Sequence, residues 1–401
     1  MAKPQAVILA AGESTRTIPL TLTRPKPLLK IANKTLLEHN FDQLLGLVGE
    51  AIIVVGYKKE MIIEHFGNSY KGLKLTYVEQ KEQLGTGHAV LQVKSRINGK
   101  FLVMNGDDLY SKQDIKAMLQ HKYAVVGKKI EEDISKQGGA ITEKNGFVTG
   151  IVERPKNFIS KTLNVGMYVF DEEIFNLANK IRKSERNEYE ITDVVTALAK
   201  TDKIKLVEVK DYWLPVGYPW QVIEANEYLL KNKMKPENKG IIEKNVTIKG
   251  QVSIGDKTLI RSGVYIEGPV MIGKNCVIGP NCYLRPGTTI GDNCKIGQAV
   301  EIKNSVIMDK TNVPHLSYVG DSVIGEKCNL GAGTIVANLK HDNGNVRSVV
   351  RGLLIDTGRR KLGAILGDNV HTGINTSIYP GRKIWPNRTT VPGEVVRKDI
   401  E

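Results

Sequence analysis

The chain has 401 residues, room for two or three domains and a sizeable core at roughly 100–200 residues per domain. Lys+Arg 57 against Asp+Glu 43 gives a net charge of +14, and 41% hydrophobic with 25% charged residues excludes wholesale disorder. No apolar run approaches the roughly 18 residues that span a bilayer. Val7-Ile8-Leu9-Ala10-Ala11, behind Lys3 and Pro4, is too short for a signal-peptide core, so a cytoplasmic protein with no membrane partner is expected. The positive charge implies an anionic partner. Basic runs such as Lys58-Lys59 and Arg359-Arg360-Lys361 are short and scattered, and only 6% of the chain is aromatic. Nucleic-acid binders concentrate basic residues on one element with aromatics between them, so small phosphorylated ligands are expected rather than nucleic acid.

The first half alternates strand-like and helix-like segments. Ala6–Leu9, Ala51–Val55, Leu73–Val78, Phe101–Met104 and Tyr123–Val126 read as short buried strands. Thr35–Leu47 and Lys112–Gln120 read as helices between them. This order predicts a mostly parallel α/β sheet, which binds ligands at the carboxyl ends of its strands. A helix-like stretch, Pro219–Lys233, closes this half, and Lys233–Gly240 reads as a charged linker.

Three segments of this half carry chemistry. After the first strand come Ala10-Ala11-Gly12-Glu13-Ser14-Thr15-Arg16 and then Arg24-Pro25-Lys26-Pro27. Small residues there let backbone N–H groups approach phosphates, and Arg16 and Lys26 would neutralise them. No Gly-Lys-Ser/Thr follows, so this is not a P-loop; a tight loop with solvated basic residues is the alternative. In Gln80–His88, the Gly85-Thr86 pair can press backbone and hydroxyl against a base. In Asn105-Gly106-Asp107-Asp108, an aspartate at a strand's carboxyl end suits a magnesium ion bridging phosphates; a turn or helix cap is the alternative.

The second half, 236–401, carries 22 of the 39 glycines. Every sixth residue from Ile242 to Met308 is a large aliphatic: Ile242, Ile248, Ile254, Ile260, Ile266, Ile272, Ile278, Leu284, Ile290, Ile296, Ile302, Met308. Two residues before each stands a small or β-branched one. This predicts a parallel β-helix built from hexapeptides, three to a triangular coil, with both positions pointing inward. The register is expected to slip after Met308 and to resume at Ile324, Leu330 and Val336, then at Leu366, Thr372, Ile378 and Ile384. Residues 309–320 and 337–362 are then expelled loops, such as collect on a binding face. Cys276, Cys282, Cys294 and Cys328 occupy the small inward position, without CxxC spacing, and read as core thiols rather than metal ligands or disulfides.

His315 falls in the first of these breaks, in Pro314–Asp321. A histidine there can serve as a base near neutral pH; a surface-loop histidine is the alternative. Loop 339–361 holds Lys340, Arg347, Arg351, Arg359, Arg360 and Lys361, to contact an anionic substrate or simply to face solvent.

Leu9–Arg16, Glu82–Ala89, Gly106-Asp107, Val148–Glu153, Asn164-Val165-Gly166, Glu190–Asp193 and the hexapeptides together resemble one family over nearly the full chain. It is the bifunctional N-acetylglucosamine-1-phosphate uridylyltransferase/glucosamine-1-phosphate acetyltransferase family, in its archaeal sugar-1-phosphate nucleotidylyltransferase form. The resemblance implies a Rossmann-like nucleotidyltransferase domain over 1–235 and a left-handed parallel β-helix acyltransferase domain over 236–401. It implies that Leu9, Ala10, Ala11 and Gly12 with Arg16 hold a nucleoside triphosphate, supported by Lys26. Gln80, Gly85 and Thr86 would read the pyrimidine, Asp107 would ligate Mg2+, and Gly139, Glu153 and Asn164 would hold the sugar. The sugar 1-phosphate would attack the α-phosphorus and release pyrophosphate.

In the second half the resemblance makes His315 the base for acetyl transfer from acetyl-CoA to an amino-sugar 1-phosphate. Arg285 and Lys303 would hold the phosphate, and Tyr318, Asn329 and Asn338 would orient the sugar. Ala332, in Leu330-Gly331-Ala332-Gly333-Thr334, would meet the pantetheine arm. Family members are trimers with acyltransfer sites between subunits. One departure stands out: relatives carry Asp-Val-Gly or a similar polar residue near Leu214-Pro215-Val216-Gly217, and Pro215 has no side-chain ligand. Asp211 is a candidate replacement. Two other readings remain: nucleotidyl transfer alone with the repeat as a trimerisation scaffold, and a non-catalytic regulatory subunit.

Overall fold

A computed structural model describes residues 3–131 and 138–401. Two compact units divide the chain, Met1–Glu13 with Leu36–Pro215, and Ser14–Thr35 with Val216–Glu401. The boundary at 235/236 marks the change of sequence pattern; the packing units divide elsewhere, because Ser14–Thr35 and the helix Gln221–Asn232 pack with the hexapeptide region.

The first unit is built on a ten-stranded sheet. Four strands, Phe101–Asn105, Gln5–Ala10, Glu50–Val55 and Leu73–Glu79, lie side by side and parallel. The runs of Phe101–Asn105, Gln5–Ala10 and Glu50–Val55 are buried on both faces, as in other parallel sheets, while Leu73–Glu79 is partly exposed. The expected parallel arrangement holds for this part and for the pair Ile204–Glu208/Ala124–Lys129. Beyond Phe101–Asn105 the strand Thr162–Phe170 runs antiparallel, and Gly139–Lys144 with Phe147–Glu153 forms an antiparallel hairpin. The short Phe147-side turn, Asn145-Gly146, takes positive φ at both residues, which suits a tight hairpin and makes a mixed sheet. The helices of this unit include Leu36–Leu44 and Lys112–Met118. The latter is capped by Ser111, whose hydroxyl accepts from the Asp114 N–H at 3.1 Å.

The chain visits Gln5–Ala10, then Glu50–Val55 and Leu73–Glu79 on one side, and only then Phe101–Asn105 on the other. Strand order therefore reverses at the carboxyl end of Gln5–Ala10. A crevice opens at such a switch point, and ligands bind there.

In the second unit three parallel sheets of eight, seven and eight strands alternate along the chain. Ile260 pairs with Ile278 and Ile278 with Ile296, so one coil is 18 residues. From Ile254 to Ile302 the aliphatic positions form one continuous core with Val252, Val264, Val270, Val300 and the four cysteines, while Thr258 and Thr288 are buried beside it; Ile242 and Ile248, expected inward, are exposed in the first coil. Burying each such aliphatic contributes roughly 1.5–3 kcal/mol. Asn275, Asn293 and Lys310 turn one corner with φ between 54° and 60°, a conformation asparagine tolerates best after glycine. The cysteines are free thiols.

The register departs from the expectation at Met308. Ile290 pairs with Ile307, not Met308, so the slip comes one hexapeptide earlier. A residue is dropped between Ile302 and Ile307 and another between Val319 and Ile324, so successive coils have 17 residues: Ile302 pairs with Val319, and Ile307 with Ile324. Residues 309–320 are thus not an expelled loop. They form the strands Asn312–His315 and Tyr318–Gly320, in register with their neighbours. The 337–362 excursion is real and contains the antiparallel hairpin Arg347–Val350/Leu353–Asp356. The expected linker Lys233–Gly240 already contains the first strand, Glu237–Asn238, paired with Ser253–Ile254.

The segment Ser14–Thr35 is tied to the corners of this coil. Arg24 pairs with Glu326 and with Asp368, the latter at 2.5 Å, and Lys30 with Asp309 at 2.6 Å. No helix among the described residues is long and apolar enough to cross a membrane.

Candidate active sites

In the first unit, Leu9 and Ala10 end the central strand and Ala11-Gly12 leave it at the switch point. Close backbone approach shapes this end. Gly106 N–H donates to the Leu9 carbonyl at 2.8 Å, and a Cβ on Gly106 would stand 2.9 Å from that oxygen. The Ala11 carbonyl accepts from Tyr57 N–H at 3.0 Å and from Gln83 Nε2 at 3.0 Å. Asp107 follows Gly106 in the turn between Phe101–Asn105 and Asp108–Tyr110, so its carboxylate stands at the same end of the sheet as Gly12.

Gln80, Gly85 and Thr86 are brought together by one loop. Gln80 Nε2 donates to the Gly85 carbonyl at 3.1 Å and lies 3.1 Å from His88 Nδ1. Gly85 has φ 106°, and a Cβ there would collide with the Tyr189 carbonyl at 2.6 Å, so only glycine fits. Thr86 Oγ1 accepts from Ile191 N–H at 3.1 Å, which docks the loop on Glu188–Ile191.

Gly139, Glu153 and Asn164 also converge. Gly139 pairs with Glu153 across the hairpin, and a Cβ on Gly139 would lie 3.0 Å from Glu153 Oε1 and 3.3 Å from Asn164 Cβ. Asn164 Nδ2 donates to the Tyr168 hydroxyl at 2.7 Å. Burial raises the Glu153 carboxyl above the ordinary range, with Arg186 opposing and Glu190 and Asp193 adding to the rise. Glu190 is itself buried and accepts from Arg186 NH2 at 2.7 Å. This acidic cluster was visible in the sequence only as the Glu190–Asp193 motif, without its Arg186 partner.

Arg16 and Lys26 belong to the segment that packs with the second unit. Arg16 lies over the Tyr218 ring at 5.4 Å. Lys26 is buried, 2% exposed, in the turn Lys26–Leu28.

Pro215 pairs with Asp108 in a short antiparallel ladder. Asp211, the suggested replacement, precedes this ladder on the Trp213 side. Its N–H faces Asp114 Oδ2 at 3.4 Å, toward the other end of that ladder. Asp108 is the acid opposite Pro215, and it accepts from Trp213 Nε1 at 3.1 Å.

In the second unit, His315 ends the strand Asn312–His315 and is exposed; it is part of a sheet, not of a loop. Its carbonyl accepts from Ser317 Oγ at 2.7 Å, which helps the chain turn toward Tyr318. Asn329 pairs with Asn312 in the next coil of the same sheet, and Ala332 follows three residues on. On the adjoining sheet Glu301 lies between Tyr283 and Tyr318. Arg285 NH1 donates to Glu301 Oε1 at 2.7 Å, while its buried Nε has no hydrogen-bond partner.

Lys303, Tyr318 and Asn338 meet at Asp321, which the sequence reading passed over. This carboxylate is 2% exposed. It lies 3.5 Å from Lys303 Nζ and accepts from Asn338 Nδ2 at 2.5 Å and from Asn304 Nδ2 at 2.8 Å. Asn338 Nδ2 is also 3.2 Å from the Tyr318 hydroxyl. Lys303 beside Lys361 pushes the Lys361 ammonium below the ordinary lysine range, so an anion entering here relieves a repulsion. The remaining basic residues of the excursion disperse. Arg359 reaches Glu227 at 2.8 Å, and Arg351 Nε donates to Thr15 Oγ1 at 2.7 Å.

A model described as nucleotidyl transferase matches residues 5–232, and one described as the GMPPB C-terminal domain matches residues 266–398. The bifunctional protein GlmU of Methanocaldococcus jannaschii is 42% identical over 396 residues, 99% of this chain and 95% of its own. The bifunctional sugar-1-phosphate nucleotidylyltransferase/acetyltransferase of Sulfurisphaera tokodaii is 41% identical over 401 residues, 99% of this chain and 98% of its own. A crystal structure of UDP-glucose pyrophosphorylase complexed with UDP-glucose superposes with a TM-score of 0.53 at 25% identity, covering 58% of this chain and 100% of that one. The chain belongs to the nucleotidyl transferase family, among the bifunctional sugar-1-phosphate nucleotidylyltransferase/acetyltransferase enzymes.

Proposed function

We propose that the chain makes a nucleotide sugar in two steps: acetyl transfer from acetyl-CoA to an amino-sugar 1-phosphate, glucosamine 1-phosphate first, and uridylyl or thymidylyl transfer to the N-acetylated or plain hexose 1-phosphate. The first step belongs to 236–401, read as a left-handed parallel β-helix assembled as a trimer; the second belongs to 1–235. The observation that carries the reading is the presence of two separate residue sets on one chain. One is the Gly12, Gln80–Thr86 and Gly139–Glu153–Asn164 set around the switch point. The other is His315 with the Lys303–Tyr318–Asn338 cluster on the hexapeptide coil.

In nucleotidyl transfer the backbone of Ala11-Gly12 and the charges of Arg16 and Lys26 receive the triphosphate. Gln80 and Gly85 read the pyrimidine edge, and Glu153 and Asn164 accept and donate to sugar hydroxyls. Little covalent help is needed; positioning and charge neutralisation supply most of the rate. A divalent metal fits Asp107. Asp107 would hold it together with the substrate phosphates and waters. Mg2+ is the metal proposed, since it keeps waters and substrate phosphates in its shell. When bound, the metal neutralises charge on the reacting phosphates.

In acetyl transfer, neutral His315 takes a proton from the sugar ammonium, the freed amine attacks the thioester carbonyl, and the C–S bond breaks as the amide forms, the proton lost by the nitrogen passing to the departing sulfur to give CoA thiol. Arg285, Lys303 and Lys361 hold the phosphate, Tyr318, Asn329 and Asn338 orient the sugar, and the Ala332 backbone meets the pantetheine arm. The test is pyrophosphate release and free-thiol release, measured separately over a panel of sugar 1-phosphates with UTP and dTTP. Thiol release with glucosamine 1-phosphate and pyrophosphate release with N-acetylglucosamine 1-phosphate are expected. Pyrophosphate without thiol would leave the scaffold reading, and neither product would leave the regulatory one.

A further inference from the structure

A cavity of about 280 Å³ lies inside the unit formed by Ser14–Thr35 and Val216–Glu401. Its walls are the turn Thr15–Thr17 with Ile18, the tip of the 347–356 hairpin, and Lys383 with Trp385. Three cations line it, Arg16, Arg351 and Lys383, against one acidic side chain, Glu401.

Lys383 makes this wall unusual. The residue is 2% exposed, and its ammonium donates to the Val349 carbonyl. An ammonium carries three donors, and that neutral carbonyl is the one hydrogen-bond partner described for it. Asp399 is near but otherwise engaged: it accepts from the Lys383 backbone N–H at 2.9 Å and lies 3.6 Å from Arg382. Burial pushes the Lys383 ammonium below the ordinary lysine range. A buried cation without a hydrogen-bonded anion is costly, and a cavity beside it gives an anion access.

The two arginines arrive by separate routes. Arg351 sits at the hairpin tip with φ 51°, followed by Gly352 with φ 75°. This pair closes a two-residue turn and hands the guanidinium to Thr15. Lys383, on the Val349 carbonyl, and Ser348, which contacts the Gly381 carbonyl at 3.4 Å, fasten the first strand of the hairpin. Arg16 enters from the next residue of the Thr15 turn. Trp385 and Ile18 add an apolar wall, on which a ring can lie.

We propose that this cavity binds a small phosphate- or pyrophosphate-bearing molecule of sugar-phosphate size, as an anion site additional to the two substrate sites. Lys383 and Arg351 supply charge-assisted donors to the phosphate oxygens, and Trp385 receives the uncharged part. The site shares Arg16 with the proposed triphosphate loop, but anion binding here does not depend on that assignment.

The chain has 3 tryptophans, which makes a local readout available. In the full chain carrying Trp213→Phe and Trp220→Phe, Trp385 is the sole indole. This protein is titrated without metal with sodium pyrophosphate and, separately, glucose 1-phosphate, at ionic strength matched with sodium chloride. A saturable change in emission is expected with at least one of them. Addition of Lys383→Met or Arg351→Gln should weaken it at least tenfold. Methionine replaces the buried cation by an apolar side chain of similar length, so it leaves no unpaired charge. Pyrophosphate alone would assign the site to free pyrophosphate, and a response to both would assign it to phosphate esters generally. No saturable change with either anion, or a change unaffected by both substitutions, would overturn the proposal. Should the double-tryptophan variant fold poorly, the rise in Tm with pyrophosphate is compared between the otherwise unmodified chain and Lys383→Met. A smaller rise in the variant supports the site, and equal rises overturn it.

Discussion

Pro215 stands directly across from Asp108 in the short ladder Trp213–Pro215/Asp108–Tyr110, one residue from Asp107. A proline there presents neither a side-chain oxygen nor an N–H. The acid on the facing strand, Asp108, is engaged by Trp213 Nε1. The proposed metal site is therefore expected to hold Mg2+ loosely. Pro215→Asp should lower the Mg2+ concentration needed for half-maximal pyrophosphate release, by several-fold, with little change in acetyl transfer. An unchanged Mg2+ dependence would show that position 215 does not face the metal.

The Glu153 carboxyl is raised chiefly by burial. Below the unfolded carboxyl range both states are protonated and folding carries no penalty. As pH rises through the window between the unfolded and the raised folded value, the unfolded state ionises first and stability falls. Glu153→Gln should therefore raise Tm at pH 7, and the gain should vanish in acid. Sugar binding should weaken in the same variant, seen as a higher KM for the sugar 1-phosphate. A Tm gain that persists unchanged at acid pH would contradict the assignment.

Asp321 compensates Lys303 and accepts from Asn304 and Asn338 while almost fully buried. Removing one partner of a buried charged pair typically costs about 3–5 kcal/mol. Asp321→Ala should lose stability on that scale in urea unfolding and lose most acetyl transfer, because Lys303, Tyr318 and Asn338 lose their common anchor. Wild-type stability in this variant would show that the cluster is not held by the carboxylate.

Ile290 is fully buried and stacked between Ile272 and Ile307. Ile290→Asp puts an unpaired carboxylate between coils, at a cost of several kcal/mol. The hexapeptide unit should unfold or fail to assemble, and size-exclusion chromatography with circular dichroism reads this. A normally assembled protein would refute the inward position.

The parallel strands of the first unit were legible because each is an apolar run bounded by turn residues, and Gln5–Ala10 through Phe101–Asn105 fall within a residue or two of their expected bounds; Gly139–Lys144, Phe147–Glu153, Thr162–Phe170 and Ile204–Glu208 were not, because their apolar residues are interrupted by glycine and polar residues. The hexapeptide core was legible because one residue type recurs at one spacing. What the period concealed was the slip. Val306, Ile307 and Met308 are all aliphatic and all buried, so a count of sixes runs on through Met308 while the backbone pairs Ile307 with Ile290. That error turned the His315 strand into a loop. Asp321 was missed because a lone acid at a corner has no spacing signature; its weight comes from Lys303, Asn304 and Asn338, brought to it by the coil. The Ser14–Thr35 segment was read with the sheet it follows. Its ion pairs to Asp309, Glu326 and Asp368 link positions about 300 residues apart, which no local pattern reveals.

The central claim is that two reactions occur at two independent sites on one chain. Its most direct test measures pyrophosphate release and CoA thiol release side by side in Asp107→Ala, His315→Ala and the unmodified chain. Asp107→Ala should abolish pyrophosphate release and leave thiol release near its original rate. His315→Ala should cut thiol release by about 10²–10⁴-fold, the contribution of a general base, and leave pyrophosphate release intact. Parallel loss of both activities in either variant, or thiol release at the original rate in His315→Ala, would contradict the account.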